Sequence, residues 1–116
     1  MLTKEEILGL ADRKAEEVVV PEWAGKTVRL MEMTAADRDE WELRAYNERK
    51  AGVTAKNVRA NLVGRCLVDD KGERLFDDEA IGALAKKSAK ALDRLFEVAQ
   101  RLNALTKQEV QAIEKN

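Results

Sequence analysis

"EVVVPEWAGKTVRLMEM", Glu17 to Met33, is the stretch that sets the fold class, because here a helix-rich chain turns β-like. Val18, Val19 and Val20 are β-branched residues that suit a pleated surface better than a helix. Pro21 cannot donate to a ladder, so it belongs on an edge or at a strand end. "AGK" (Ala24 to Lys26) supplies a turn, and "TVRLMEM" resumes a strand with Val28 and Leu30 on one face. The pattern predicts a β-hairpin over about 17–33. Two strands alone are marginal, so this hairpin must pack on helices or on another chain.

The rest of the chain reads as helix. A single proline and six glycines punctuate 116 residues, a length that fits one domain, 1–116. "LTKEEI" (Leu2 to Ile7) and "LTKQEV" (Leu105 to Val110) each place Thr as an N-cap with Glu three residues on, the reciprocal capping box. Thr34 with Asp37, Thr54 and Ser88 open three more helices. Leu92, Leu95, Phe96, Ala99 and Leu102 recur at helical spacing and mark the central core helix. Helices are thus predicted over about 4–13, 35–50, 55–68, 78–86, 89–104 and 107–115. The fold class is mainly α (α+β), a small helical domain of about five to six helices with one short N-terminal β-hairpin.

Composition closes off several functions. The net charge is −1, which gives no global field to draw in nucleic acid or an anionic membrane. The apolar runs are too short to span a bilayer, and "MLTKEEIL" carries acids where a signal peptide would be basic. A cytoplasmic protein is the expectation. Histidine is absent and Cys66 is alone on an apolar helix face, which removes nucleophilic triads, intrachain disulfides and Cys-based zinc sites. No phosphate-loop, dinucleotide or zinc-protease motif occurs, so neither catalysis nor a cofactor is expected.

"DDKGERLFDDE", Asp69 to Glu79, packs six acids around one glycine. As an EF-hand it fails, because aligning Gly72 to the invariant glycine puts Leu67 and Lys71 at ligand positions. Turn chemistry fits instead: Asp69 and Asp70 supply acceptors and Gly72 a left-handed backbone. Leu75 and Phe76 then return to the core, and Asp77 caps the next helix with Asp78 and Glu79 in its first turn.

Two kinds of surface remain. Arg44, Arg49, Lys50, Lys56, Arg59 and Arg65, with Tyr46 among them, make the middle of the chain basic. Glu48 interrupts the run and helical spacing scatters it, so a solvated helix surface is favoured over a nucleic-acid site. In the third helix Trp41 and Ala45 share one side while Leu43 and Tyr46 point nearly opposite. A helix this charged does not bury both sides in a small core, which makes Trp23, Trp41, Leu43 and Tyr46 candidate partner contacts. Arg44, Arg49 and Arg59 against Asp69, Asp70 and Asp77 are candidate charges for head-to-tail self-association.

The ensemble resembles a known family. "LTKEEIL", "EEVVVPEWAGKTVRL", "CLVDDKGERLFDDEAIGAL" and "KSAKALDRLFEVAQRLNAL" follow one another as in the tail assembly chaperones of long-tailed bacteriophages, especially the group related to the HK97-type phage. The resemblance runs over nearly the whole chain. It implies a non-enzymatic protein of the host cytoplasm that binds the tape measure protein and keeps it soluble. It also implies that tail tube protein polymerises around that client, and that the chaperone is left out of the finished virion. A chain ending at Asn116 looks like the short product of a family that often also makes a longer, frameshifted one. A homo-oligomer is expected, to match a long client. A small morphogenesis or connector protein retained in the virion, and a nucleic-acid-binding accessory protein, are the alternatives.

Overall fold

The computed structural model describes residues 1–114. Strand β1 (Ala15–Val20) and strand β2 (Lys26–Met31) form the hairpin, joined by a 3-10 turn at Pro21–Trp23. Pro21 stands directly after the last residue of β1, where its missing N–H breaks no ladder bond. Ala24 and Gly25, both at positive φ, reverse the chain into β2. The register pairs Val18 with Val28 and Glu16 with Leu30. Val20 and Leu30 are therefore buried on the inner face, and Val19 is exposed on the outer one.

The helices are α1 (Lys4–Leu8), α2 (Ala35–Lys50), α3 (Val58–Cys66), α4 (Ile81–Leu84), α5 (Ala89–Leu102) and α6 (Lys107–Glu114). The mainly α, α+β class is the one the sequence predicts, with one strand more. Both capping boxes form: Glu6 N donates to Thr3 Oγ1 at 3.2 Å and Glu109 N to Thr106 Oγ1 at 3.0 Å. The Glu carboxylates accept in return from Thr3 N and Thr106 N.

Four helices have boundaries that differ from the periodic reading. Helix α1 ends at Leu8 with Gly9 as its C-cap instead of near residue 13, and Lys14 pairs with Glu32 to lengthen the hairpin. Helix α3 begins at Val58 with Asn57 in a left-handed conformation, and Thr54 caps nothing. Its C-terminal end is the larger difference. The helical pattern runs on to residue 68, yet Leu67–Val68 form strand β3, pairing antiparallel with Leu30 and Arg29. Helix α4 is short and is entered through a 3-10 turn at Asp78–Ala80. Helix α5 ends at Leu102, where Asn103 turns inward and Ala104 takes a positive φ. For α6, expected to 115, position 115 lies outside the described residues.

The core lies between the sheet's inner face, α3 and α5. Leu62, Val63 and Cys66 of α3 meet Leu92, Leu95 and Ala99 of α5, with Leu30 and Val20 beneath. Asn103 fastens this junction: Met33 N donates to its Oδ1 at 2.8 Å, and its Nδ2 donates to Ala99 O at 2.7 Å and reaches Cys66 Sγ at 3.4 Å. Burial raises the Cys66 thiol to about 11, only partly offset by the Asn103 bond. The native chain should therefore resist alkylation by iodoacetamide at pH 8, and should react promptly once unfolded in urea.

Helices α3 and α4 approach closely at Gly64. A Cβ there would overlap Ile81 Cδ1, and Ile81 is itself buried. Gly64→Val is expected to destabilise by about 1–3 kcal/mol through overpacking. A urea midpoint lowered at unchanged m would report it.

Candidate functional site

An apolar groove opens beside the hairpin's turn. Its volume is about 380 Å³, and its walls are Trp23 and Val28 on one side, Leu75 and Phe76 on another, and Ala83 and Lys87 at the α4 end. The "DDKGERLFDDE" stretch builds that second wall. Asp69 Oδ1 accepts from Lys71 N at 2.8 Å and from Glu73 N at 3.0 Å, and Gly72 takes φ 82°. The chain then returns along β3, with Leu75 N donating to Leu67 O at 3.0 Å. Asp77 accepts from Ala80 N at 2.9 Å and starts the 3-10 turn that leads into α4. Between these two anchors the Leu75–Phe76 pair is held out at the groove. Phe76 still packs against the core, but Leu75 is 54% exposed, so the sequence expectation that both return to the core holds only for Phe76.

A polar cleft of about 500 Å³ lies next to the groove and shares Val28 and Leu75 with it. Glu17, Arg29, Asp69 and Asp70 line the cleft. Arg29 spans it, donating to Glu17 Oε1 at 3.1 Å and to Asp70 O at 3.2 Å. Leu75 thus forms a ridge between an apolar trough and an acid-rich one. On the groove's far rim Lys87 forms no ion pair among the described residues. Nearby, Arg94 donates to Glu22 at 3.2 Å and holds its carboxyl below the usual range.

The sequence-predicted partner contacts separate in space. Trp23 is half-buried and lines the groove. Leu43 and Tyr46 lie one turn apart on α2 and are exposed, 57% and 53%. Trp41 does not belong with them: at 4% exposure it is the one buried side chain of α2 and part of the core. One aromatic suffices to anchor the helix, which is why the opposite side stays outside. Val28, Leu75, Phe76 and Ala83 were not singled out as contacts; the usable signal was "LF" as an apolar pair isolated among charges.

The candidate self-association charges are mostly occupied within the chain. Arg44 bonds Glu48 at 3.2 Å and Asn61 at 2.6 Å, and Arg59 pairs with Asp93. Asp69 and Asp77 serve backbone N–H groups, Asp70 lies exposed in the turn, and Arg49 stands in the last turn of α2. Arg65, placed by sequence in a basic surface, is buried and faces Glu40 at 3.4 Å and Asp78 at 3.5 Å. The basic middle is therefore no continuous phosphate-binding stripe. Among the described residues no group of three or more His, Cys, Asp or Glu is placed to hold a metal ion, and no helix is long and apolar enough to cross a membrane.

The groove is thus an apolar surface with the acid-rich cleft on one flank and Lys87 on the other. Residues 9–115 match the family model described as phage tail assembly chaperone. The chain belongs to the phage tail assembly chaperone family. A comparison with curated proteins finds no match. Among solved structures this tail assembly chaperone is similar in fold to the bacteriophage HK97 tail assembly chaperone. The TM-score is 0.58 and the identity 22%, over 78% of this chain and 85% of that one.

Proposed function

We propose that this chaperone binds the tape measure protein, keeps it soluble and promotes polymerisation of tail tube protein around it. It works in the host cytoplasm and is left out of the finished virion. The observation that carries this reading is the apolar groove between Trp23, Val28, Leu75 and Phe76. A long helical client exposes apolar stripes before the tube encloses it, and a hydrophobic groove takes such a stripe at i, i+3, i+4 and i+7. Beyond the Leu75 ridge, the acids of the neighbouring cleft suit basic residues flanking the stripe. Leu43 and Tyr46 offer a second, smaller contact on α2. A homo-oligomer repeats these contacts along the client and multiplies weak affinities.

Co-expression tests the reading. A tape measure fragment made alone should sediment with the insoluble fraction, and should move to the supernatant with this chain. A fragment equally insoluble in its presence would refute client binding. Mass spectrometry of purified particles should find no copy of the chain, and finding it there would favour the retained-component alternative.

A further inference from the structure

The first ten residues form an arm in which every residue is exposed. Helix α1 has no buried residue, and Leu2, Ile7, Leu8 and Leu10 are 55–75% exposed. This is nonetheless a built element, since the capping box at Thr3 and Glu6 closes its first turn. A short helix with Ile7 and Leu8 facing water, flanked by exposed Leu2 and Leu10, is suited to dock as a peptide. The family match begins at Gly9, so α1 precedes the matched region.

We infer that the arm of one copy docks into the apolar groove of a second copy, with Leu2, Ile7 and Leu8 against Trp23, Val28, Leu75 and Phe76. Size, charge and topology each support that occupant. A cavity of about 150 Å³ holds a benzene ring, and the groove, at about 380 Å³, takes two or three aliphatic side chains. Glu5 on the arm, which has no ion pair among the described residues, meets Lys87 on the rim, while Lys4 meets the acid-rich cleft beyond Leu75. The arm feeds into β1 at the outer edge of the sheet, and β2 stands between β1 and the β3 side where the groove lies. The arm enters β1 at Ala15, which pairs with Met31 at the end of the hairpin remote from the Pro21–Trp23 turn beside which the groove opens. This deepens the self-association in the reading above and places it on apolar contacts instead of on Arg44, Arg49 and Arg59. A client helix would then displace a neighbour's arm from the same groove.

Disulfide trapping tests this in the full chain. Cys66 is buried and its thiol poorly ionised, so it gives little background. One population carries Leu8→Cys, a second carries Leu75→Cys, and both positions are exposed enough to leave the fold intact. On mixing under mild oxidation, the mixed disulfide should form about tenfold faster than either homodisulfide, because docking raises the local thiol concentration toward the millimolar range. Ile7→Glu added to the Leu8→Cys chain should abolish that preference, and Ile7→Glu with Leu8→Glu in the otherwise unchanged chain should lower the weight-average mass in sedimentation velocity. Equal rates for all three disulfides would overturn the inference. So would an intrachain disulfide in the double variant at high dilution, or a mass unchanged by the arm substitutions. The client is absent throughout, so failure here leaves tape measure binding standing, and loss of client binding alone leaves the arm contact standing.

Discussion

Trp41→Ala is expected to destabilise the chain by about 3–5 kcal/mol, the range for removing a large aromatic from a core. Helix α2 has sixteen residues and buries only this one. Its other attachments are polar. Arg38 donates to Asn103 O at 3.0 Å and to Glu109 at 2.8 Å, and Arg44 reaches Asn61 at 2.6 Å. Partly exposed pairs of this kind contribute roughly 0–1 kcal/mol each, too little to hold the helix once the indole is gone. The amides of α2 should therefore lose hydrogen-exchange protection before those of α5, and Trp41→Phe should cost less than Trp41→Ala. A residue serving only as a surface anchor would change stability within about 0.5 kcal/mol. A urea midpoint near that of the wild type would show that α2 is held by its polar bonds.

Leu75→Asp is expected to abolish client capture at nearly unchanged stability. Leu75 is 54% exposed in the free chain, so little core packing is lost. In the complex its side chain would be buried, a contribution of about 1.5–3 kcal/mol for a leucine. A carboxylate there would also face apolar surface without a partner. Together these predict a Kd weakened by about 10- to 100-fold. The tape measure fragment should return to the insoluble fraction on co-expression. Trp23→Ala should act in the same direction, with some loss of stability because Trp23 also packs against the core. Wild-type solubilisation by Leu75→Asp would place the client elsewhere, with the Leu43–Tyr46 face the next surface to test.

How far the sequence was legible follows the range of the interactions. The caps at Thr3, Thr34, Ser88 and Thr106 and the turn at Asp69–Gly72 are local chemistry, and each reads directly from residue type and spacing. The α5 stripe was nearly as plain: Leu92, Leu95, Phe96 and Ala99 of the periodic pattern are buried, Leu102 is only partly so, and Ala91 joins them. Strand β3 was hidden because Leu67 and Val68 continue the helical pattern of α3, and only pairing with Arg29 and Leu30 pulls them out of it. The same limit governs the site. Trp41 and Tyr46 look alike as aromatics on a charged helix, and only the body beneath α2 decides which of them is covered. The groove joins residues 23 and 28 to residues 75 and 76 across a sheet the sequence did not reveal in full. Its one local trace was Leu75–Phe76, set between two runs of acids.

The central claim is that the groove beside Trp23 receives a tape measure helix. Tryptophan emission reads it directly, because Trp41 is already buried and only Trp23 stands at the groove. Titrating the Ile7→Glu, Leu8→Glu chain, whose groove no neighbour's arm covers, with a soluble tape measure fragment should shift the emission to the blue and protect it from acrylamide, saturably, and Trp23→Phe should remove both changes. A fragment that binds while Trp23 emission and quenching stay unchanged would contradict the claim.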